Sequence, residues 1–173
     1  MNKSGLILIL CVVSLCAQLY AADDPKVEIF GGYQYTRIGG DGGLNANGWN
    51  GAITGNINDW FGVEADFSGA YKDIGGVDLS AHTYTFGPVF SVTRERVKPF
   101  AHALFGGFRA SAGFAGTGES INGLAMMFGG GVDVKASDHI SIRAVQADWI
   151  IWRAVGITEE KTGRISAGLV FRF

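Results

Sequence analysis

The sequence predicts an all-β protein: an eight-stranded antiparallel up-and-down transmembrane β-barrel, preceded by a cleavable signal peptide. Residues 163–173 alternate strictly between a wholly apolar face and a face that carries two arginines. This period of two is typical of a strand, and a tilted strand of about 9 to 11 residues crosses a hydrocarbon core. After the amino-terminal segment no apolar run approaches the length of a membrane helix. A chain that spans lipid without helices must close its sheet, because open edges leave backbone groups unpaired.

The amino terminus has the pattern of an export signal. Lys3 supplies a positive charge, residues 6–15 are almost wholly apolar, and Ala21 and Ala22 are small residues suited to cleavage. We expect residues 1–21 to form the signal peptide, with cleavage after Ala21 or Ala22, and residues 22–173 to form the barrel domain. A retained helical anchor is the weaker alternative, because the apolar run is shorter than the roughly 20 residues that a spanning helix needs.

Composition excludes several classes of function. Cys11 and Cys16 lie in the expected signal peptide, so the mature chain is expected to have no thiol for disulfides, thiolate catalysis or cysteine-bound metals. Removal of 21 of the 173 residues leaves 152, a length that suits a single domain, and the loss of Lys3 changes the formal charge from −2 to −3. We therefore expect no nucleic-acid partner, since such partners attract basic chains.

Eight segments read as strands, at residues 27–38, 48–57, 61–71, 79–90, 97–110, 124–134, 140–152 and 163–173. The first, second, third, sixth and eighth each have one apolar and one polar face, as a half-buried strand does. The apolar faces carry Val27, Ile29, Tyr33 and Tyr35; Trp49, Ile53 and Ile57; Phe61, Val63, Ala65, Phe67 and Tyr71; Leu124, Met126, Phe128, Val132 and Val134; and Ile165, Ala167, Leu169, Phe171 and Phe173.

The other three strands are less regular. The facing of the fourth and fifth stays open, and Pro88 and Pro99 lie toward the turn that joins them, where a missing N–H harms the ladder least. In the seventh, regular alternation would put two polar residues on each side. A one-residue bulge near Ala144 would instead bring all four to the inside. These four residues are Ser141, Arg143, Gln146 and Asp148.

The connections alternate between tight turns and longer segments rich in Gly, Asn, Asp and Ser. Tight turns are expected at residues 58–59, 93–96 and 135–139, and longer loops at 39–43, 72–78, 111–123 and 153–162. Because eight is an even number, both chain ends fall on one side of the bilayer. We expect that side to be periplasmic and the longer loops to face outside.

Charged residues on the expected inner faces are nearly balanced in sign, which predicts a paired ion network filling the lumen. An eight-stranded barrel is just wide enough to be filled by side chains, and buried charges without partners are too costly to keep. The expected members are Glu28, Glu64, Asp66, Arg109, Asp133, Arg143, Asp148, Arg164 and Arg172.

Aromatic residues map to the two ends of the strands, as expected of membrane-interface girdles. Tyr35, Trp49, Tyr71, Trp149 and Trp152 map to the outer rim, and Trp60, Phe61, Phe90, Phe171 and Phe173 map to the inner rim. The aromatic ends of the strands in a soluble sandwich would imitate this arrangement.

The chain resembles the small outer-membrane β-barrel domain family, the OmpA/OmpX-like eight-stranded barrels, over essentially its whole mature length. The resemblance is carried by segments 27–36 (VEIFGGYQYT), 58–69 (NDWFGVEADFSG), 97–107 (VKPFAHALFGG), 129–149 and 166–173 (SAGLVFRF). It implies a bacterial outer-membrane location, contact with outer-membrane lipid and lipopolysaccharide, and insertion by the barrel-assembly machinery. Leu169, Phe171 and Phe173 look like the carboxy-terminal signal that this machinery reads. The family hosts many activities, so the resemblance implies location more than function.

Candidate chemistry is weak in this sequence, and we expect no catalytic, cofactor or metal site. Glu64 and Asp66 could form a carboxylate pair, but a filled lumen leaves no room for a sugar. His139 and Ser141 share a strand face and faintly resemble the histidine and serine of barrel-type lipid A deacylases. They lack an oxyanion partner and a third triad member. His82 and His102 lie on neighbouring strands, but two histidines without a third ligand make a poor metal site.

The sequence thus favours a non-catalytic integral barrel with a structural or surface-contact role through short extracellular loops, whose surface ligand is unknown. A narrow solute pore and a lipid-modifying enzyme are the alternatives within the membrane. A secreted barrel of lipocalin type is a fourth possibility, and it would need the opposite arrangement, with an apolar inside and a polar outside.

Overall fold

A computed structural model describes residues 26–39, 43–114, 117–154 and 157–173, which form eight strands in a closed barrel. In chain order these are β1 (Val27–Ile38), β2 (Leu44–Asn56), β3 (Phe61–Ile74), β4 (Val77–Ser91), β5 (Val97–Phe114), β6 (Thr117–Lys135), β7 (Ile140–Ala154) and β8 (Ile157–Arg172). The predicted eight-stranded antiparallel barrel is confirmed. The expected signal peptide at residues 1–21 lies outside the described residues. Among the residues that are described, none belongs to a helix long and apolar enough to cross a membrane.

The barrel closes where the first strand meets the last. Glu28 pairs with Arg172, and the antiparallel ladder continues from there to Arg37 and Gly163. Val27 and Phe173 exchange two backbone hydrogen bonds, with N···O distances of 3.2 and 2.9 Å. Closure leaves no edge strand exposed to lipid, as a membrane barrel requires.

Side chains alternate between the lumen and the outer surface with the predicted facing in β1, β2, β3, β6 and β8. On β3, Phe67 is 47% exposed while the adjacent Asp66 is 0% exposed, and on β8, Ile165 is 57% exposed while Arg164 is 1% exposed. Large apolar side chains therefore cover the outside and charged groups lie inside. This is the reverse of the arrangement in a soluble lipocalin-type barrel, and it suits an outer surface in contact with lipid.

The bulge predicted in β7 is confirmed. Val132 of β6 pairs with Val145, whereas the next residue, Asp133, pairs with Arg143, so Ala144 is the extra residue. Ala144 and Val145 are both exposed. The shift brings all four polar residues of β7 into the lumen, where Ser141, Arg143, Gln146 and Asp148 are each 5% exposed or less.

The strand connections alternate between the two ends of the barrel. Lys26, the first described residue, lies with Phe173 and three turns, at residues 57–60, 92–96 and 136–139, at what we call the terminal end. The paired ends of β1 and β2, β3 and β4, β5 and β6, and β7 and β8 lie at the opposite end, the hairpin end. At the terminal end the Asn58 side chain accepts hydrogen bonds from the backbone N–H groups of Trp60 and Phe61, at 3.1 and 2.8 Å. This side-chain turn fixes the tight connection that the sequence predicts there.

The loops expected at the hairpin end are mostly strand. The segments at 72–78, 111–123 and 153–162 were expected to be irregular, but β3 and β4 run to a turn at Gly75 and Gly76, and β5 and β6 stay paired as far as Phe114 and Thr117. Gly75 and Gly76 have φ values of 59° and 86°, which the central residues of a tight hairpin turn require. Outside the hydrocarbon a ladder needs no apolar face, so its sequence resembles a polar loop.

Candidate functional site

The middle of the lumen is built around the guanidinium of Arg164. Its Nη1 and Nη2 atoms donate to the two carboxylate oxygens of Asp66 at 2.9 and 3.0 Å, and its Nε donates to Asp148 Oδ2 at 2.8 Å. Asn50 donates to Asp66 Oδ2 at 2.8 Å, and the Ser166 hydroxyl donates to Asn50 Oδ1 at 3.2 Å. Paired, two-pronged hydrogen bonds of this kind are the strongest that a guanidinium makes.

His102 joins two carboxylates from opposite walls. Its Nδ1 lies 2.7 Å from Glu64 Oε1 on β3, and its Nε2 lies 2.8 Å from Asp148 Oδ1 on β7. An ionised carboxylate only accepts hydrogen bonds, so the imidazolium, which carries N–H on both nitrogens, satisfies both contacts. Gly129 faces this contact, and a Cβ atom there would overlap Asp148 Oδ1. Thr54 donates a further hydrogen bond to Glu64, at 3.0 Å.

Arg143 lies between this cluster and the terminal end. It donates from Nε and Nη2 to Asp133 at 2.8 and 3.0 Å, and from Nη1 to Gln146 at 2.7 Å. Its guanidinium carbon lies 4.3 Å from the ring centre of Phe30 and 4.2 Å from that of Phe100. A guanidinium held between two ring faces away from water is stabilised by a cation–π interaction with each ring.

The terminal end of the lumen is closed by a smaller ion cluster. Lys98 donates to both oxygens of Glu28, at 2.9 and 2.8 Å, and Arg172 Nε lies 3.5 Å from Glu28 Oε1. Outside the lumen, in the turn before β7, the Lys135 ammonium hydrogen-bonds the exposed Asp138 carboxyl and lowers its pKa.

Five acids and five basic groups face one another along the lumen. The acids are Glu28, Glu64, Asp66, Asp133 and Asp148, and the basic groups are Lys98, His102, Arg143, Arg164 and Arg172. Lys98 and His102 were not among the expected members, because the facing of β5 was open. The alternation of side chains along β5 is the sequence feature that places Lys98 and His102 inside, because they lie on the same face of the strand as the buried Leu104.

Arg109 is a correction to the expected network. It is exposed on the outside of β5, where its Nη2 donates to the Ser120 hydroxyl at 3.2 Å. The neighbouring Phe108 is the inward residue, at 4% exposed. A charge is tolerated on this outer face because β5 continues to Phe114, well past the length that crosses the hydrocarbon.

Trp152 is a correction to the expected aromatic girdle. It is 8% exposed and lies inside the barrel, where it stacks on Phe108 with ring centres 5.1 Å apart. The bulge at Ala144 sets this facing, because Gln146, Asp148 and Trp152 then share the inward parity. The position of Trp152 along the strand, near the hairpin end, suits an aromatic girdle, but its side chain points into the lumen and not toward lipid.

The other expected interface aromatics point outward. Trp49 donates to the Tyr71 hydroxyl at 3.2 Å, and that hydroxyl lies 3.0 Å from His82 Nε2. The Trp149 Nε1 group donates to the backbone carbonyl of Glu160. The exposed fractions are 40% for Tyr35, 47% for Trp49, 57% for Trp60, 44% for Tyr71 and 54% for Trp149. Trp60 packs with Phe61 and Phe90 near the terminal end, and Leu169, Phe171 and Phe173 also point outward.

The structure does not assemble the weak candidates for chemistry. His139 is exposed in a turn while Ser141 is 3% exposed in the lumen. His82 faces outward and His102 inward, so the two are on opposite sides of the wall. In the described part of the chain, no three His, Cys, Asp or Glu residues are placed to hold a metal ion.

The lumen changes character above the ion network, toward the hairpin end. An apolar cluster fills its cross-section, and Leu104, Met127 and Ile150 at its centre are 0%, 0% and 2% exposed. We call this cluster, with Ala81, Phe108, Ala125 and Trp152, the apolar plug. Beyond it lies a cavity of about 480 Å³ with mostly apolar walls. The sequence led us to expect a lumen that is charged and filled along its whole length. The structure shows instead that the part of the lumen near the hairpin end is apolar and contains a cavity.

The chain matches the family model described as "Outer membrane protein beta-barrel domain" over residues 7–173. No curated protein sequence matches it.

Several solved outer-membrane proteins share the fold. Neisserial surface protein A (NspA) superposes with a TM-score of 0.71 at 17% identity, covering 86% of this chain and 97% of NspA. Ail, the attachment invasion locus protein of Yersinia pestis, has a TM-score of 0.63 at 21% identity, covering 87% and 99%. The N-terminal barrel domain of Pseudomonas aeruginosa OprF has a TM-score of 0.54 at 12% identity, covering 87% and 99%. With its closed eight-stranded barrel and apolar outer face, the chain belongs to the outer membrane protein beta-barrel domain family and is an integral outer-membrane protein.

Proposed function

We propose that this protein is a non-catalytic barrel that makes surface contacts at its hairpin end. The observation that carries this proposal is the length of β5 and β6, which have 18 and 19 residues. About 9 to 11 residues cross the hydrocarbon, so the paired ends of these strands project well beyond it. Loops and hairpin tips outside the membrane are where barrels place their binding function.

The hairpin end faces the outside in this proposal. An even number of strands puts both chain ends together, and exported barrels of this kind keep short turns on the periplasmic side. The outer faces of the strands contact membrane lipid. Outward Arg109 and Arg153 lie at the hairpin end, where the phosphates of lipopolysaccharide would be within reach of their guanidinium groups.

The lumen favours a structural role over transport. The apolar plug and the ion network below it occupy the cross-section, so a narrow solute pore is the weaker alternative. A lipid-modifying enzyme is weaker still, because exposed His139 and buried Ser141 do not form a catalytic pair.

The ligand of one relative does not suit the charges at this hairpin end. Ail has been solved in complex with the heparin analogue sucrose octasulfate. Here the described charges near the hairpin end balance, with five basic and five acidic residues. They are Arg37, Lys72, Arg109, Arg153 and Lys161, and Asp73, Asp78, Glu119, Glu159 and Glu160. A sulfated polymer would need an excess of positive charge.

Cysteine labelling of intact cells tests the orientation on which the proposal depends. An Asp73→Cys variant places a thiol near the β3–β4 hairpin, and a Ser137→Cys variant places one in a turn at the terminal end. We expect a membrane-impermeant maleimide to label the first in intact cells and the second only after the outer membrane is permeabilised. The reverse pattern would overturn the orientation, and reproducible channels in planar bilayers would overturn the closed lumen.

A further inference from the structure

A small polar pocket opens at the terminal end of the lumen, beside the Lys98–Glu28 ion cluster. We call it the mouth pocket, and the lining residues used below are Glu28, Arg96, Lys98, Lys135, Ser141 and Arg172. Its volume is about 110 Å³, well below the roughly 300 to 1,000 Å³ of a site for a drug-sized molecule. Because Arg96 in its rim is exposed, the pocket is open to solvent. It therefore suits an occupant of the size of a small ion.

The guanidinium of Arg172 is buried in this pocket without a hydrogen-bond acceptor. The Arg172 side chain is 10% exposed, and its Nε atom makes no hydrogen bond to the described residues. It lies 3.5 Å from Glu28 Oε1, beyond the roughly 2.7 to 3.2 Å of an N–H···O hydrogen bond. Both Glu28 oxygens already accept from Lys98, at 2.9 and 2.8 Å. A buried donor without an acceptor is costly, so the Arg172 guanidinium is ready to bind an acceptor that enters the pocket.

A second donor lies next to Arg172. Ser141 on β7 pairs with Val170 on β8, and Arg172 follows two residues later on the same inner face. Diagonal neighbours of this kind are within reach of a long side chain. Ser141 is 3% exposed and lines the pocket, and its hydroxyl has no hydrogen-bond partner in the described part of the chain. A guanidinium and a hydroxyl on neighbouring strands can bind more than two oxygens, which favours a tetrahedral oxyanion over a planar carboxylate.

The charges around the mouth pocket favour an anion. Apart from Arg172, the charged residues around it balance one for one, by pairing or by adjacency in the rim turn. They are Lys98 and Glu28, Arg143 and Asp133, Lys135 and Asp138, and Arg96 and Glu95. Arg172 therefore leaves one positive charge in excess among the described residues of the pocket and their partners. A site with an excess positive charge attracts an anion more than a cation or a neutral molecule.

Paired backbone separates Arg172 from the lipid outside the barrel. On one side Arg172 pairs with Glu28 of β1, and on the other its backbone N–H donates to the His139 carbonyl at 2.9 Å. The ladder between β6 and β7 also reaches this level, since it begins with the pair of Lys135 and Ser141. A lipid headgroup cannot pass through hydrogen-bonded strands, so an occupant enters from the solvent at the terminal end.

From these observations we propose that the mouth pocket binds a free tetrahedral oxyanion of the phosphate type, with Arg172 as its principal hydrogen-bond donor. The Ser141 hydroxyl donates to a further oxygen, and Arg96 contributes a positive charge at the rim. This site lies at the opposite end of the barrel from the surface contacts proposed above. Its location in the periplasm rests on the proposed orientation, whereas binding itself does not, so the purified protein tests it independently.

The Arg172 Nε–H signal provides a direct readout by NMR. The barrel is placed in micelles of an alkyl maltoside, a detergent without phosphate, and inorganic phosphate replaces chloride at constant ionic strength and pH. We expect the Arg172 Nε–H signal and the Ser141 backbone amide signal to move with a common saturation curve. Water as the sole occupant would leave both signals in place. Unmoved signals, or a linear drift without saturation, would overturn the proposal.

Variants at the two ends of the rim turn separate the pocket from the general field of this end. Arg172→Gln should weaken phosphate binding, read from the Ser141 amide, about tenfold or more, because a hydrogen bond to a charged group is lost. Arg96→Gln changes an exposed turn residue that lines the pocket and should weaken binding about threefold. Arg94→Gln is the matched control. Arg94 is exposed in the same turn and pairs with Val97, whose side chain is on the outer surface, so this variant should keep the wild-type affinity. Equal losses in Arg96→Gln and Arg94→Gln would overturn the site.

Two further probes test the commitment to a free tetrahedral anion. Acetate offers only two oxygens and should bind about tenfold more weakly than phosphate, since one charged hydrogen bond is lost. Nanodiscs that contain phosphatidylglycerol should leave the Arg172 signal where it lies in maltoside. Equal affinity for acetate would overturn the tetrahedral assignment. A signal displaced by phosphatidylglycerol, with no further response to phosphate, would assign the pocket to a lipid headgroup and overturn the free-anion assignment.

Discussion

Arg164 on β8 and Asp66 on β3 are joined across the lumen by two parallel hydrogen bonds of 2.9 and 3.0 Å. The residues are 98 positions apart in sequence and 1% and 0% exposed. Because Arg164 also binds Asp148 on β7, one side chain connects three strands. The pair therefore fixes the cross-section of the barrel as well as neutralising two buried acids.

Removal of Arg164 should destabilise the barrel strongly. An Arg164→Met variant leaves Asp66 and Asp148 without their shared cation, and breaking a buried ion pair from one side costs about 3 to 5 kcal/mol. Urea unfolding in lipid vesicles, followed by heat-modifiable migration on gels, measures the loss. Arg109→Met is the matched control, since the side chain of exposed Arg109 hydrogen-bonds only Ser120 among the described residues, and its loss should cost less than about 1 kcal/mol. Equal losses would contradict the placement of the two arginines.

Replacement of His102 should have a comparable effect that a second change relieves. In the His102→Leu variant, Glu64 keeps only the Thr54 hydroxyl as a hydrogen-bond partner among the described residues. We therefore expect the free energy of unfolding to fall by about 3 kcal/mol or more. Adding Glu64→Gln removes the uncompensated charge and should recover part of that loss, with a coupling free energy of about 0.5 to 3 kcal/mol in a double-mutant cycle. His82→Leu, on the outer face, should change stability by less than about 1 kcal/mol. Strictly additive effects at His102 and Glu64 would argue against the contact.

The extra residue in β7 should be essential for assembly. Deleting Ala144 forces a one-residue slip, which turns the polar residues on one side of the bulge toward lipid. We expect this deletion to yield no heat-modifiable folded form in detergent or vesicles. Ala144→Leu should fold normally, because the Ala144 side chain is exposed on the apolar outer face. A deletion variant that folds would show that the bulge is dispensable.

Strand facing could be predicted from sequence wherever one face met lipid. The alternation of β3 and β8 is strict because each outward side chain must be apolar over the hydrocarbon. The limits of the strands could not be predicted, since β5 and β6 continue beyond the membrane as a ladder with polar or small residues on both faces. Residues 111–123 therefore resemble a loop although most of them are paired.

The ion network could be predicted in kind but not in full membership. The expected acids faced only Arg143, Arg164 and Arg172 once Arg109 is placed outside. Lys98 and His102 supply the two missing cations. The cavity could not be predicted, because it depends on the size of side chains from seven strands at one level and not on any local pattern.

The carboxy-terminal Phe173 should matter for insertion more than for the folded barrel. Its backbone closes the ladder with Val27 while its side chain is 45% exposed, so Phe173→Ala keeps the hydrogen bonds and removes only the ring. If the assembly machinery reads this ring, the variant should reach the outer membrane in reduced amounts yet refold from urea into detergent as the wild type does. Phe128→Ala, an exposed ring on β6, is the control and should insert normally. Equal membrane levels for both variants would remove Phe173 from the insertion signal.

Trp149 and Trp152 should report opposite environments although they are three residues apart. Trp149 is 54% exposed on the outer face and Trp152 is 8% exposed inside the barrel. In variants that retain a single tryptophan, with the other three changed to Phe, lipid chains brominated near the headgroup should quench Trp149 strongly because contact quenching needs the ring to touch the chain. The wall of β7 separates Trp152 from those chains, so its emission should be little changed in the same vesicles. Strong quenching of Trp152 by brominated lipid would return it to the aromatic girdle, and it would also require the bulge at Ala144 to be absent in the bilayer.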